Sequence, residues 1–168
     1  TEELLQNPDE KGSLSLEIFA FCVPIDKKEI ILMNPSLQHW LKGAHKFLTN
    51  SNERRFFRLS LRYGNIERYK PVKINFLQFK FDVPDSLSFI WQFKEIFVEE
   101  YYRFETKSPV PVIYDCGANV GTSCAYFKYR YSQSRIVAFE PNPKIAEYLK
   151  TNIKNNSLKN IEVLNKAV

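Results

Sequence analysis

The sequence predicts an α/β fold: a short parallel sheet toward the C-terminus, preceded by an α+β region. Three observations carry this. From about residue 110 the chain alternates strand, helix, strand, helix, strand. Two glycines, Gly117 and Gly121, separate the first of those strands from its helix. An Asn142-Pro143 pair opens the second helix.

The elements of this unit follow in order. "VPVIYDC" is a short apolar run and reads as a buried strand. "VGTSCAYFKYRY" puts Val120, Cys124, Phe127 and Tyr131 on one side of a helix. "SRIVAFE" is a second strand. Asn142 then caps a helix whose inner face is Ile145, Ala146, Leu149 and Ile153. "IEVLNKAV" is a third strand. Right-handed crossovers place the two later strands on the same side of the first. The unit is bounded at 106–168, with 1–105 as the N-terminal α+β region.

In that region, residues 1–12 read as a frayed tail. "SLSLEIFAFCV" and "EIILMN" read as short strands joined by "PIDKK". Asn34-Pro35 opens a helix over about 35–49, with Leu37, Trp40, Leu41, Ala44, Phe47 and Leu48 on one face. "RFFRLSLRYGNIERY" alternates, with Phe57, Leu59, Leu61 and Tyr63 on one side and Arg58, Ser60 and Arg62 on the other. It predicts a strand that ends in a Gly64-Asn65 hairpin turn. "VKINFLQFKFDV" is strand-like, with a slip of phase between Phe76 and Leu77 that implies a bulge or a break between two strands. Asp85 or Ser86 caps a helix over about 86–98 whose inner face is Phe89, Ile90, Phe93, Ile96 and Phe97.

Composition narrows the function. The chain has 168 residues, 44% hydrophobic and 15% aromatic, enough to bury a core. Its formal net charge of +5 is mildly basic and does not call for a nucleic acid. Arg54, Arg55, Arg58 and Arg62 form a basic strip, read as the wet face of a half-buried strand. No apolar run is long enough to span a bilayer. The acidic, polar N-terminus is not a signal peptide, and without an initiator Met the chain reads as part of a longer one. Cys22, Cys116 and Cys124 lack zinc spacing and read as reduced thiols of a cytoplasmic protein. His39 and His45 are six apart on a helix, which is not a metal pair, so no metal is expected. Tyr102 reads as a core aromatic rather than a cofactor contact.

The chemistry centres on "VIYDCGANVGTSCAYF". In doubly wound sheets, ligands sit beyond the carboxyl ends of the strands. Gly117 lets the chain double back and brings backbone N–H groups toward a ligand. Gly121 permits close helix contact, and packing alone would also explain it. Glu140 ends the next strand, nineteen residues after Gly121, where a carboxylate can accept from both hydroxyls of a ribose. The turn therefore reads as an adenosine-cofactor site. Its spacing is not the dinucleotide G-x-G-x-x-G, because Asn119 stands at the middle position. Asp115, two residues before Gly117, would repel a pyrophosphate. It would tolerate S-adenosylmethionine, which carries an ammonium and a sulfonium. Asp115 and Asn119 could also be ordinary turn residues.

These residues resemble a family. "DCGANVG", "FEPNP" and the closing "NKAV" look like motifs of the FkbM-type S-adenosylmethionine-dependent methyltransferases, and the resemblance covers about 79–168. It implies the Rossmann-like methyltransferase sheet, of which this sequence holds the first three strands. It implies O-methylation of a hydroxyl on a small molecule, a sugar or glycan, or a secondary metabolite. By resemblance, Asp115, Gly117, Ala118, Asn119 and Gly121 would hold the methionine part of the cofactor. Glu140 would hold the ribose, with Pro141 and Asn142 beside it, and Ala167 would lie near the adenine. The family's remaining strands would carry the acceptor site and any general base, so no catalytic residue is assigned. The sequence is expected to be a fragment, inactive alone, whose unpaired sheet edge is open to self-association. A non-catalytic α/β interaction module and an NAD-binding Rossmann domain are the alternatives.

Overall fold

The computed structural model describes residues 43–168. The two strands and the Asn34-Pro35 helix start expected from the sequence, with Cys22 and His39, lie outside the described residues. Residues 43–49 are helical, within the helix expected over 35–49. Among the described residues no helix is long and apolar enough to cross a membrane.

Ser51–Tyr63, expected in part as a strand, is a helix, α1. Asn50 caps it, accepting the N–H groups of Asn52 and Glu53 at 2.8 and 3.4 Å. The segment "RFFRLSLRY" fits both periods: Phe56, Leu59 and Tyr63 also recur at helical spacing. Leu and Arg are good helix formers, and a capped start decides between the two patterns. Arg54, Arg58 and Arg62 therefore lie along a helix, and Gly64 follows its end rather than starting a hairpin.

The hairpin belongs to the next segment. β1 (Val72–Phe76) and β2 (Phe79–Val83) pair antiparallel, with Phe76 opposite Phe79. Leu77, at φ +48°, and Gln78 make the turn, so the slip of phase marks a break between two strands. Ile74, Phe76, Phe79, Phe81 and Val83 point into the core. The Phe76 ring lies 5.2–5.6 Å from the rings of Phe79, Phe81, Phe89, Phe93 and Phe97, a spacing at which aromatic pairs attract. α2 (Ser86–Phe93) gives way to a π-helical turn, Lys94–Val98, so the helix expected over 86–98 changes its pitch partway.

β3 (Val112–Cys116), β4 (Arg135–Phe139) and β5 (Ile161–Leu164) form a parallel sheet in the order β3-β4-β5. α3 (Thr122–Arg130) and α4 (Pro143–Asn155) are its crossovers. The fold is α/β, with a Rossmann-like parallel sheet, as the strand–helix alternation predicts. Ile113, Ile136 and Ile161 share one row, and Asp115, Ala138 and Val163 the next row on the same face. That face packs into the core. The opposite face is open on β3, where Val112 is 56% and Tyr114 68% exposed. The run "VIYDC" is thus buried on one face and not on both. No strand pairs with the outer edge of β3 among the described residues. Leu59 and Phe93 share one core with Ile136 and Leu149, on either side of residue 105.

Candidate functional site

Asp115 is the second-last residue of β3 and is almost wholly buried. Its Oδ2 accepts the Ser123 hydroxyl at 2.6 Å and the Cys124 thiol at 3.3 Å, both from the first turn of α3. Burial pushes this carboxyl above its usual range, and the two donors partly oppose that. Oδ1 has no donor among the described residues. Burial, with the Asp115 charge adding to it, pushes the Cys124 thiol well up. Cys124 is therefore a neutral donor to Asp115 and not a nucleophile.

The turn after β3 is built from left-handed backbone: Gly117 at φ +88°, Asn119 at φ +48° and Gly121 at φ +93°. Four of its five amides are engaged within the protein, and the Val120 N–H has no acceptor among the described residues. Gly117 and Ala118 both donate to the Phe139 carbonyl at 2.9 Å, and Gly121 donates to the Ala118 carbonyl at 2.8 Å. Asn119 donates to Glu140 Oε2 at 3.0 Å. The sequence reading has the turn bring backbone N–H groups toward a ligand, and these four are spent on protein acceptors instead. What Gly117 offers instead is room: a Cβ there would meet no atom within 4 Å. Gly121 is different. A Cβ there would stand 2.8 Å from Leu149 Cδ1, so its close approach to α4 is a packing requirement.

Glu140 follows β4 and is 7% exposed. Its second oxygen, Oε1, accepts the backbone N–H of Asn142 at 2.9 Å. Each carboxylate oxygen keeps a further acceptor position. The Asn142 side chain caps α4, accepting from Lys144 and Ile145. It does so as the sequence predicts, and is engaged in that role. Pro141 and Ala167 are exposed, the latter just past β5.

The sheet thus brings Asp115, the turn from Gly117 to Gly121, and Glu140 together at the carboxyl ends of β3 and β4. Tyr102, expected in the core, is 47% exposed and stacks on Phe127 at 6.2 Å. A surface cavity lined by Pro71, Lys73, Asp82, Tyr148 and Thr151 contains none of the predicted site residues. Sequence reasoning missed Ser123 as a partner of Asp115. A small polar residue in the first turn of the helix after a buried carboxylate is the signal that was there to find. It also missed Asn165, whose amide donates to the carbonyls of Glu140 and Pro141 at 2.7 and 3.1 Å and fixes the end of β4.

No family model matches the chain. Curated relatives do. It is 37% identical over 73 residues to "Methyltransferase sdnD" of Sordaria araneosa, covering 43% of this chain. It is 32% identical over 69 residues to "Methyltransferase 1" of Beauveria bassiana, covering 41% of this chain. Both relatives are methyltransferases by name. The aligned part spans 28% of each relative's length. Among solved structures, M. jannaschii TYW2 in complex with AdoMet is similar at TM-score 0.47 and 21% identity. That match covers 59% of this chain and 44% of that one.

Proposed function

We propose that the chain carries the S-adenosylmethionine-binding part of an FkbM-type methyltransferase. Such an enzyme would transfer a methyl group to a hydroxyl oxygen of a sugar, a glycan or a secondary metabolite. The observation that carries the cofactor reading is the state of the turn's donors. The N–H groups of Gly117, Ala118, Asn119 and Gly121 all go to protein acceptors. A pyrophosphate would find four of the turn's five N–H groups taken, and two buried carboxylates beside it.

A cationic adenosine ligand suits the same residues. Asp115 Oδ1 is open to an ammonium, and the open space over Gly117 admits a close approach. Glu140 retains acceptor capacity for ribose hydroxyls, with Pro141, Asn142 and Ala167 at the same end of the sheet. When bound, the cofactor supplies a methyl group on a sulfonium, open to attack by oxygen. The names of the two relatives support methyl transfer. The hydroxyl acceptor rests on the resemblance of "DCGANVG" and "FEPNP" to the FkbM type.

Isothermal titration with S-adenosylhomocysteine and with NADH tests this reading. Saturable binding of the first and none of the second is expected. Binding of NADH without S-adenosylhomocysteine would overturn it.

A further inference from the structure

Asn152, on α4, and Asn156, which caps its C-terminus, stand one turn apart and face the edge of β2. Four residues along a helix rise about 6 Å, and two along a strand about 6.7 Å. The two side chains therefore meet alternate residues of the strand. Asn152 Oδ1 accepts the Asp82 N–H at 2.8 Å and its Nδ2 donates to the Asp82 carbonyl at 2.9 Å. Asn156 repeats the pair on Lys80, at 2.7 and 2.8 Å. Each amide imitates one residue of a neighbouring strand, and together they close an edge that would otherwise be open.

The two asparagines differ in one respect. Asn152 is fully buried and its Nδ2 also donates to the Val120 carbonyl at 2.9 Å. Val120 immediately precedes Gly121, whose close contact with Leu149 lies on the same helix. Asn156 has no bond to the turn. Its remaining bond is to the Asn152 carbonyl, within α4.

We infer that Asn152 is a positioning residue: it fixes the glycine turn against the β1–β2 hairpin, and cofactor affinity depends on it through that turn. Asn156 serves the hairpin alone. The inference rests on the proposed cofactor site, and it predicts a difference between two residues with the same strand contacts.

The test compares Asn152→Ala with Asn156→Ala in the full 168-residue chain. Melting temperature, S-adenosylhomocysteine affinity and amide hydrogen exchange over Val120–Cys124 in the ligand-free protein are measured for both. Both variants should melt earlier than the parent. Loss of one buried hydrogen bond to the turn should weaken binding about tenfold in Asn152→Ala and leave it within about twofold in Asn156→Ala. Exchange over Val120–Cys124 should speed up only in Asn152→Ala. If the parent does not bind S-adenosylhomocysteine, the cofactor reading fails, and the exchange comparison still decides the role of Asn152. Equal effects of the two substitutions on exchange and affinity would overturn the inference. If Asn152→Ala does not fold, Asn152→Ser replaces it, a small neutral group that sets no buried charge against the Asp82 and Val120 carbonyls. Failure of both to fold would also overturn the inference, since Asn152 would then serve the fold as a whole.

Discussion

The Glu140 carboxylate accepts the backbone N–H of Asn119 at 3.0 Å, which ties the end of β4 to the turn after β3. Its other oxygen holds Asn142, at the start of α4. Glu140 is thus a strut of the site as well as a candidate ribose acceptor. Glu140→Ala should lower S-adenosylhomocysteine affinity by about 1.5–3 kcal/mol, the size of lost charge-assisted hydrogen bonds. It should lower the melting temperature too, because the N–H groups of Asn119 and Asn142 lose their acceptor. Calorimetric titration at a temperature where the variant is folded separates the two effects. Unchanged affinity with a reduced melting temperature would leave Glu140 structural only.

Gly117 and Gly121 share a left-handed backbone but not their surroundings. Gly121→Ala adds strain and a collision with Leu149, and should cost about 2–4 kcal/mol of stability. Gly117→Ala adds strain alone, about 1–2 kcal/mol, and places a methyl group in the space proposed for the cofactor. Denaturant melts should rank Gly121→Ala as the less stable. Titration should rank Gly117→Ala as the weaker binder per folded molecule. The reverse ranking in either measurement would contradict this division of roles.

A pH dependence follows from Asp85, at the N-terminus of α2. Burial pushes its carboxyl up, but hydrogen bonds from Arg68 and Ser88 and the Arg68 charge outweigh that and hold it below its ordinary value. A group depressed in the folded state contributes stability that is fully present above its unfolded value. That contribution is lost as the pH falls through its folded value. Removing Arg68 takes away the leading cause of the depression and moves the titration upward. Arg68→Ala should therefore be less stable than the parent near neutral pH, and the difference should shrink as the pH falls, in denaturant melts followed by circular dichroism from roughly pH 7 down to 2. A difference that does not change with pH would show that Arg68 does not set the Asp85 titration.

The open face of β3 gives a further expectation. Val112 and Tyr114 are exposed beside an edge that has no strand partner among the described residues. Such an edge is a template for pairing. The 168-residue chain should associate with rising concentration in light scattering, and Tyr114→Lys should reduce it. A monodisperse monomer at all concentrations would refute this.

The order of strands and helices from residue 110 was legible because each element has one period and a clear stop: Gly117, Gly121, and the Asn142-Pro143 pair. Asp115 and Glu140 were legible as strand-end carboxylates, and the structure places both at the same end of the sheet. α1 was misread because the nine residues from Arg55 to Tyr63 satisfy two periods at once, and the Asn50 cap lies outside the alternating run. The roles of the turn's amides were not legible at all. Which carbonyl an N–H meets depends on how β4 comes alongside, as Phe139 does for Gly117 and Ala118. Asn152 was hidden for a related reason: a buried asparagine on an apolar helix face reads as an interruption until its partners on β2 are in place.

A cationic adenosine cofactor is proposed to bind at the carboxyl ends of β3 and β4. Amide chemical-shift mapping of the labelled chain during titration with S-adenosylhomocysteine tests it most directly. Saturable shifts concentrated at Asp115–Gly121, Glu140–Asn142 and around Ala167 are expected. Shifts confined to the cavity lined by Pro71, Lys73 and Tyr148, or no saturable shifts at all, would contradict it.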